Sequence, residues 1–346
     1  MKKYFGIEIL RFLTSLAVLF YHYRHFFNPF NSDSVLKYSA AKTDLPFINL
    51  LNVFYENGIL GVQVFYTISG FVFTYIYYHF YQTTSYKTFF LNRFARLYPL
   101  HFATLILVTL LQIISSSSYG NFQIYQFNDL YHFILHLFFI SSWGFEQGHS
   151  FNGPIWSVSV EILIYIIFFL LLLLIKKYKI YFIIIFSLLL LSIDKLINQE
   201  SLFLECARLF FSGSLVYFIV QYQNIKKYLL ILSILLIFLS FLGNFKIYLF
   251  CPSVLLLFIQ LDNYLNYEKV KNLFYKLGNL TYAIYLLHVP MQILIILTFG
   301  YLSIPDTIFT NELFFISFIL ILLLVSNICF NRYEKPLNKK IRKKFG

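Results

Sequence analysis

The chain has 346 residues, of which 59% are hydrophobic and 12% are charged. Soluble domains average about 45 to 50% apolar and about 25% charged residues, so the composition excludes an ordinary soluble protein. The net charge of +12 comes from 27 Lys and Arg against 15 Asp and Glu. These cations gather between apolar stretches, which is typical of membrane topology signals and not of nucleic-acid binding.

Apolar stretches long enough to cross a bilayer, about 20 residues each, recur along the whole chain. We predict ten spans with both termini in the cytoplasm: 5–27, 58–80, 98–117, 156–175, 180–197, 204–223, 228–244, 246–261, 277–300 and 312–330. This topology places every basic cluster between spans on one side, as the positive-inside rule requires. Those residues are Lys2, Lys3, Lys87, Arg93, Arg96, Lys176, Lys177, Lys179, Lys226, Lys227, Lys269, Lys271 and Lys276.

The predicted fold class is therefore all-α, a polytopic membrane helical bundle over 1–331 with a basic cytoplasmic tail over 332–346. Segment 130–143 is apolar but too short to span, so we interpret it as re-entrant or interfacial. The first span carries charges and lacks a small-residue cleavage site, so it is expected to remain as a helix. The cysteines show no paired spacing and predict neither a disulfide nor a metal site; they are Cys206, Cys251 and Cys329.

Three ionisable residues of the first span predict a polar track on one helix face. Glu8 and Arg11 are three residues apart and can pair along a helix. His22 follows Arg11 by eleven residues, which is three turns plus about 20° and about 16 Å of axial rise, so it points the same way. Two interpretations stay open: a structural ion pair with an interfacial histidine, or a polar track that ends in a titratable base.

Two motifs follow in the second span and at the start of the third. Ser69 and Gly70 form a small-residue pair that allows close approach of helices, and we assign it to packing. Arg93 and Arg96 lie three residues apart just before Pro99, on the predicted cytoplasmic side. Two guanidinium groups on one helix face can bind phosphates in a bidentate manner. The alternative is that they serve only as topology signals.

Two later ionisable residues of the predicted spans are further candidates. Glu161, at the start of the fourth span, is predicted to lie at a similar depth, where its carboxylate could orient the imidazole and stabilise an imidazolium. The alternative is a carboxylate that favours a helix N-terminus. His288 lies midway along the ninth span beside Pro290, where a proline can break the helix and leave backbone groups able to bind a ligand.

Five stretches resemble, in combination and in order, the acyltransferase-3 family of integral membrane O-acyltransferases, which modify bacterial surface sugars. The stretches are IEILRFLTSLAVLFYHY, GVQVFYTISGF, RFARLYPLH, GPIWSVSVE and YAIYLLHVP. They extend from the first span to residue 290. One departure is Glu8, which stands where the family usually has aspartate, and its longer side chain should still reach Arg11.

The resemblance implies roles for individual residues. His22 is the implied catalytic histidine, and Arg11 belongs to the same motif, with Glu8 and Arg11 assigned to positioning. Arg93 and Arg96 are implied to bind the phosphates of acyl-CoA. The residues implied to line the site near the outer surface are Trp156, Ser157 and Glu161, and His288 belongs to a late family motif.

The expected function is transfer of an acetyl or larger acyl group from cytoplasmic acyl-CoA, a co-substrate and not a resident cofactor, to a hydroxyl of an extracytoplasmic or lipid-linked sugar. His22 either deprotonates the hydroxyl or carries the acyl group, and no metal is expected. The expected location is the bacterial inner membrane. The main alternative is a transporter or flippase for a lipid-linked glycan, in which the intramembrane charges bind substrate or relay protons.

Overall fold

A computed structural model describes residues 3–27, 45–80, 85–197, 201–222, 228–242, 246–262, 264 and 267–345. These residues form α-helices joined by turns, and no strand occurs among them, which confirms the predicted all-α class. The helices are α1 (Phe5–His22), α2 (Ile48–Phe80), α3 (Tyr86–Tyr119), α4 (Leu130–Leu137), α5 (Ile155–Ile197), α6 (Leu202–Gln221), α7 (Leu229–Ser240), α8 (Lys246–Leu261), α9 (Glu268–Tyr301), α10 (Glu312–Cys329) and α11 (Lys335–Phe345). The basic residues Lys2, Lys226 and Lys227 lie outside the described residues.

Seven helical runs in the described chain are long and apolar enough to cross a membrane. α5 is interrupted at Lys179, whose backbone is left-handed (φ 54°), so the fourth and fifth predicted spans fall on its two sides. α7 and α8 have 12 and 16 residues and coincide with the seventh and eighth predicted spans. Each predicted span therefore overlaps a helix, while the number of ten crossings and the cytoplasmic termini stay predictions.

The chain divides into two compact units, and several helices contribute to both. The first unit comprises Met1–Thr14, Ile59–Ser85 and Val160–Asn279. The second unit comprises Ser15–Gly58, Tyr86–Ser159 and Leu280–Gly346.

Helices α2 and α6 of the first unit cross where glycine lets their backbones meet. A Cβ atom at Gly70 would lie 1.7 Å from the carbonyl oxygen of Phe210. Reciprocally, a Cβ atom at Gly213 would lie 1.9 Å from the carbonyl oxygen of Thr67. Glycine at both positions lets the two backbones approach this closely. The packing role predicted for Gly70 is confirmed, and that of Ser69 stays a prediction.

Replacing Gly70 with alanine is expected to destabilise the protein by at least about 2 kcal/mol, because the added methyl group overlaps backbone that cannot rotate away. The measurement is the midpoint of thermal unfolding in detergent, followed by circular dichroism. Ser69→Ala adds no atom at the neighbouring position and should change stability by only about 0.5 kcal/mol or less. Equal midpoints for Gly70→Ala and the wild type would show that the helices do not meet here.

The core of the second unit is formed by α3, α9 and the loop between α3 and α5. Nine buried apolar residues make it up: Leu105, Val108, Leu111, Ile124, Tyr125, Phe151, Val289, Ile293 and Leu297. The hydroxyl of Tyr282 on α9 also donates a hydrogen bond to the carbonyl oxygen of Leu97 on α3, at 2.7 Å. Apolar packing and a hydrogen bond together hold α3 and α9 against each other.

The segment 130–143, predicted to be re-entrant or interfacial, contains the eight-residue helix α4 followed by a turn. Asp129 caps α4, because its side chain accepts a hydrogen bond from the backbone N–H of His132 at 2.8 Å. Burial acts to raise the pKa of Asp129, but the hydrogen bonds and the charge of His132 outweigh it and lower that pKa below its usual value. This N-terminal cap is therefore charged at neutral pH.

His136, at the other end of α4, is a buried neutral side chain. Burial, followed by the neighbouring histidines, holds the pKa of His136 well below its usual value. Its Nε2 lies 2.9 Å from the hydroxyl of Ser150, which ties α4 to the loop before α5. We assign His136 to the packing of this loop.

Candidate active site

The histidine that ends α1 lies against a histidine of α9. Nδ1 of His22 is 3.0 Å from Nε2 of His288, and the two rings stack with their centroids 4.9 Å apart. His288 is buried and His22 is partly exposed. The two candidates that the sequence suggested separately therefore form one site.

The hydrogen bonds of His288 determine which ring nitrogens carry protons. Its Nδ1 lies 3.2 Å from the carbonyl oxygen of Ile284, which can only accept, so this nitrogen donates. In a neutral His288, Nε2 is then an acceptor, and Nδ1–H of His22 donates to it. Nε2 of His22 keeps its lone pair and makes no hydrogen bond within the described part of the chain. That nitrogen has the form required of a base or a nucleophile.

A glutamine one turn beyond His288 holds the end of α1. The amide nitrogen of Gln292 donates to the carbonyl oxygen of His22 at 2.8 Å. Its amide oxygen accepts from Nδ1 of His25 at 3.0 Å. The ring of His25 stacks on that of His22 with centroids 5.0 Å apart. We call His22, His25 and His288 the histidine cluster.

Pro290 does not break α9, which continues to Tyr301. Because proline has no N–H, the carbonyl oxygen of Leu286, four residues earlier, loses its donor within the helix. Asn152 replaces that donor: its amide nitrogen donates to the Leu286 carbonyl at 2.9 Å. The backbone group that Pro290 was predicted to free thus binds a residue of the loop before α5.

Two residues that the family resemblance placed near the site lie at the start of α5. The hydroxyl of Ser157 is 2.7 Å from the hydroxyl of Tyr285 on α9, and Tyr285 donates to the carbonyl oxygen of Pro154 at 2.7 Å. The rings of Tyr285 and His288 lie 6.1 Å apart, so Ser157 is linked through Tyr285 to the histidine cluster. Trp156 is partly buried beside it.

The two predicted phosphate-binding arginines lie one turn apart on α3 and are partly buried. Leu97, which follows Arg96, is the residue whose carbonyl accepts the bond from Tyr282. Tyr282 precedes His288 by six residues, which corresponds to about 9 Å of axial rise along α9. The helix that carries His288 is therefore bonded to α3 directly beside Arg96.

The remaining predicted polar residues belong to the first unit. Nη1 of Arg11 lies 3.1 Å from Oε2 of Glu8, which confirms the predicted pair. Glu8 packs against Gly278 of α9, where a Cβ atom would lie 2.0 Å from the carboxylate oxygen. Glu161 is partly buried on α5. Its support of His22 stays a prediction.

Two further observations bear on bound groups. Cys206 and Cys251 are buried free thiols, and Cys329 is partly buried. Among the residues that the structure describes, no three His, Cys, Asp or Glu side chains are placed to hold a metal ion.

A family profile described as an acyltransferase domain, that of acyltransferase-3, matches residues 4–330. The chain belongs to the acyltransferase-3 family. No curated protein and no solved structure matches it. Because an acyltransferase-3 profile covers nearly the whole chain and the helices are of membrane-spanning length, the protein is a multi-pass membrane acyltransferase.

Sequence reasoning missed four residues at the site of this acyltransferase-3 chain. Two had a signal: His25 follows His22 by three residues and Gln292 follows His288 by four, so each pair shares one helix face. Asn152 had no local signal, because its contact joins the loop before α5 to a helix more than a hundred residues away. Tyr285 stands in the stretch YAIYLLHVP, but its bond to Pro154 joins the same loop and helix and does not follow from that stretch alone.

Proposed function

We propose that this acyltransferase-3 protein transfers an acetyl group from cytoplasmic acetyl-CoA to a hydroxyl of an extracytoplasmic or lipid-linked sugar, such as a unit of O-antigen, capsule or exopolysaccharide. The observation that supports it best is the hydrogen bond between His22 and His288, because it leaves Nε2 of His22 as an available base. The proposed location is the bacterial inner membrane.

In the direct route, Nε2 of His22 accepts the proton of the sugar hydroxyl while the oxygen attacks the thioester carbonyl carbon. The C–S bond then breaks as the new C–O ester bond is retained. The thiolate that leaves takes the proton from the His22 imidazolium, which yields free CoA and restores the neutral ring.

In the acyl-carrier route, Nε2 of His22 itself attacks the thioester carbonyl carbon, the C–S bond breaks, and CoA leaves as the thiolate, so that His22 remains as an acyl-imidazolium. The sugar hydroxyl then attacks that acyl group, and its proton goes to the thiolate. The same free nitrogen serves both routes, so the proposal includes either.

Both routes place positive charge on His22, and two features of the site favour it. His22 is the last residue of α1, and the C-terminal end of a helix stabilises a nearby cation by about 0.3 to 1 kcal/mol at an exposed position. The lone pair of His288 Nε2 also faces the Nδ1–H of His22 at 3.0 Å, which holds the ring in one orientation as the charge forms.

The remaining residues have proposed supporting roles. Arg93 and Arg96 bind phosphates of the donor from the cytoplasm, since an arginine fork matches phosphate geometry. Glu8 and Arg11 position the first span. The residues proposed to line the acceptor end are Trp156, Ser157 and Glu161.

The test uses purified protein in lipid nanodiscs, supplied with radiolabelled acetyl-CoA and isolated surface polysaccharide. Thiol release and label transfer to the polysaccharide are expected together. Proton NMR of polysaccharide from a strain lacking the gene should show the loss of one O-acetyl signal, which returns on complementation. A transporter or flippase would consume no acetyl-CoA, and that result would refute the proposal.

A further inference from the structure

The most strongly charged surface of the described chain is helix α11. It carries six cations and no acidic residue: Lys335, Lys339, Lys340, Arg342, Lys343 and Lys344. All six are exposed. The partly buried residues of α11 are Leu337, Asn338 and Ile341, whose spacing places them on one helix face. α11 therefore has one packed face and a broad cationic face.

The packed face of α11 lies against α3, in the same unit. Just before α11, the hydroxyl of Tyr333 donates to the carbonyl oxygen of Pro99 on α3, at 3.2 Å. In the predicted topology α10 runs toward the cytoplasm and α3 runs away from it. Because α11 continues from α10, it extends beside the part of α3 that precedes Pro99.

That part of α3 is itself cationic. Residues 86–96 include Lys87, Arg93 and Arg96 and no acidic residue. These two stretches thus carry nine cationic side chains and no carboxylate of their own, and the acidic residue directly before α11, Glu334, is buried. A topology signal explains charge between spans, but it does not require the charged tail to fold into a helix and pack on α3. A surface with such a field concentrates anions, above all polyvalent ones.

We propose that the cationic face of α11, together with Arg93 and Arg96, forms one binding surface for the phosphate groups of the acyl-CoA nucleotide. This inference rests on the proposed function, because it names the place where the donor's phosphates are held. The nucleotide carries a diphosphate and a ribose phosphate, and a single arginine pair leaves part of that charge without a partner. The flexible, exposed lysines of α11 supply the additional positive charge that the remaining phosphates need.

The test is binding of CoA to the full chain in phosphatidylcholine nanodiscs, measured by calorimetry without turnover. The triple variant Lys339→Gln, Lys340→Gln, Lys343→Gln is expected to weaken the Kd at least about 10-fold, because it removes three cations from the proposed surface. The Kd should also depend less strongly on salt concentration. Dephospho-CoA should show a smaller difference between the wild type and the variant.

Two control variants separate charge from folding. Lys339→Arg, Lys340→Arg, Lys343→Arg keeps the charge and should bind CoA as the wild type does. Lys269→Gln, Lys271→Gln, Lys276→Gln removes the same charge from another predicted cytoplasmic segment and should leave the Kd unchanged. Both α11 variants should share the thermal midpoint of the wild type, because the changed residues are exposed.

The group that this surface would bind is a phosphate ester, which occurs both in CoA and in anionic lipid headgroups. The binding series is therefore repeated in nanodiscs that contain phosphatidylglycerol. If the α11 glutamine variant binds CoA as tightly as the wild type, the proposal is wrong. It is also wrong if the variant differs from the wild type only in how strongly phosphatidylglycerol in the nanodisc changes the Kd for CoA. If wild-type protein binds CoA through α11 but never consumes acetyl-CoA, the proposed function fails while the binding surface stands.

Discussion

Replacing His22 with alanine is expected to lower the rate of acetyl transfer at least about 100-fold, because a positioned general base contributes roughly that much or more. Binding of CoA should be unchanged, since the residues proposed to bind its phosphates are on other helices. The measurement is thiol release from acetyl-CoA by nanodisc-embedded protein in the presence of acceptor, together with the Kd for CoA.

The matched control is His79→Ala. His79 is a histidine near the end of α2 whose Nε2 lies 3.0 Å from the hydroxyl of Tyr217. It should retain wild-type transfer if it folds normally. Wild-type transfer by His22→Ala at equal expression would exclude both the direct and the acyl-carrier route. A trapped acetyl group on His22, found by mass spectrometry after a rapid quench, would select the acyl-carrier route.

Changing His288 to leucine is expected to lower kcat about 10-fold to 100-fold at little cost to the KM for acetyl-CoA, because His22 loses the acceptor that holds its tautomer. His288→Gln offers an amide oxygen as a replacement acceptor, so it should recover a large part of the loss. Steady-state kinetics of both variants give the measurement.

The comparison of the two His288 variants separates positioning from packing. Leucine fills the buried space as well as glutamine does, so a purely structural role predicts that glutamine is the more harmful of the two. Recovery of kcat by glutamine supports the positioning role, and equal or lower activity of His288→Gln would contradict it.

Local patterns predicted those parts of the site that depend on helix periodicity alone. The Glu8–Arg11 pair follows from a separation of three residues, and the close approach at Gly70 follows from small side chains in an apolar helix. A single stretch of sequence contains both signals, the helical spacing of the ion pair and the small side chain at the crossing.

Contacts between distant helices were not predictable in this way. The bond between His22 and His288 joins residues 266 positions apart, and without a partner in view His288 was only a weak candidate. The same holds for the break in α5, where one left-handed residue at Lys179 replaces the loop that two separate spans would need. Tertiary packing determines which helices contact each other, and the periodicity of one helix does not indicate its partner.

The bond that Asn152 makes to the Leu286 carbonyl has a mechanical consequence for the enzyme. Leu286 is two residues from His288, so the loop before α5 and the positioning histidine are fastened to the same turn of α9. A displacement of this loop would therefore be transmitted through the Asn152 amide to the turn of α9 that carries His288.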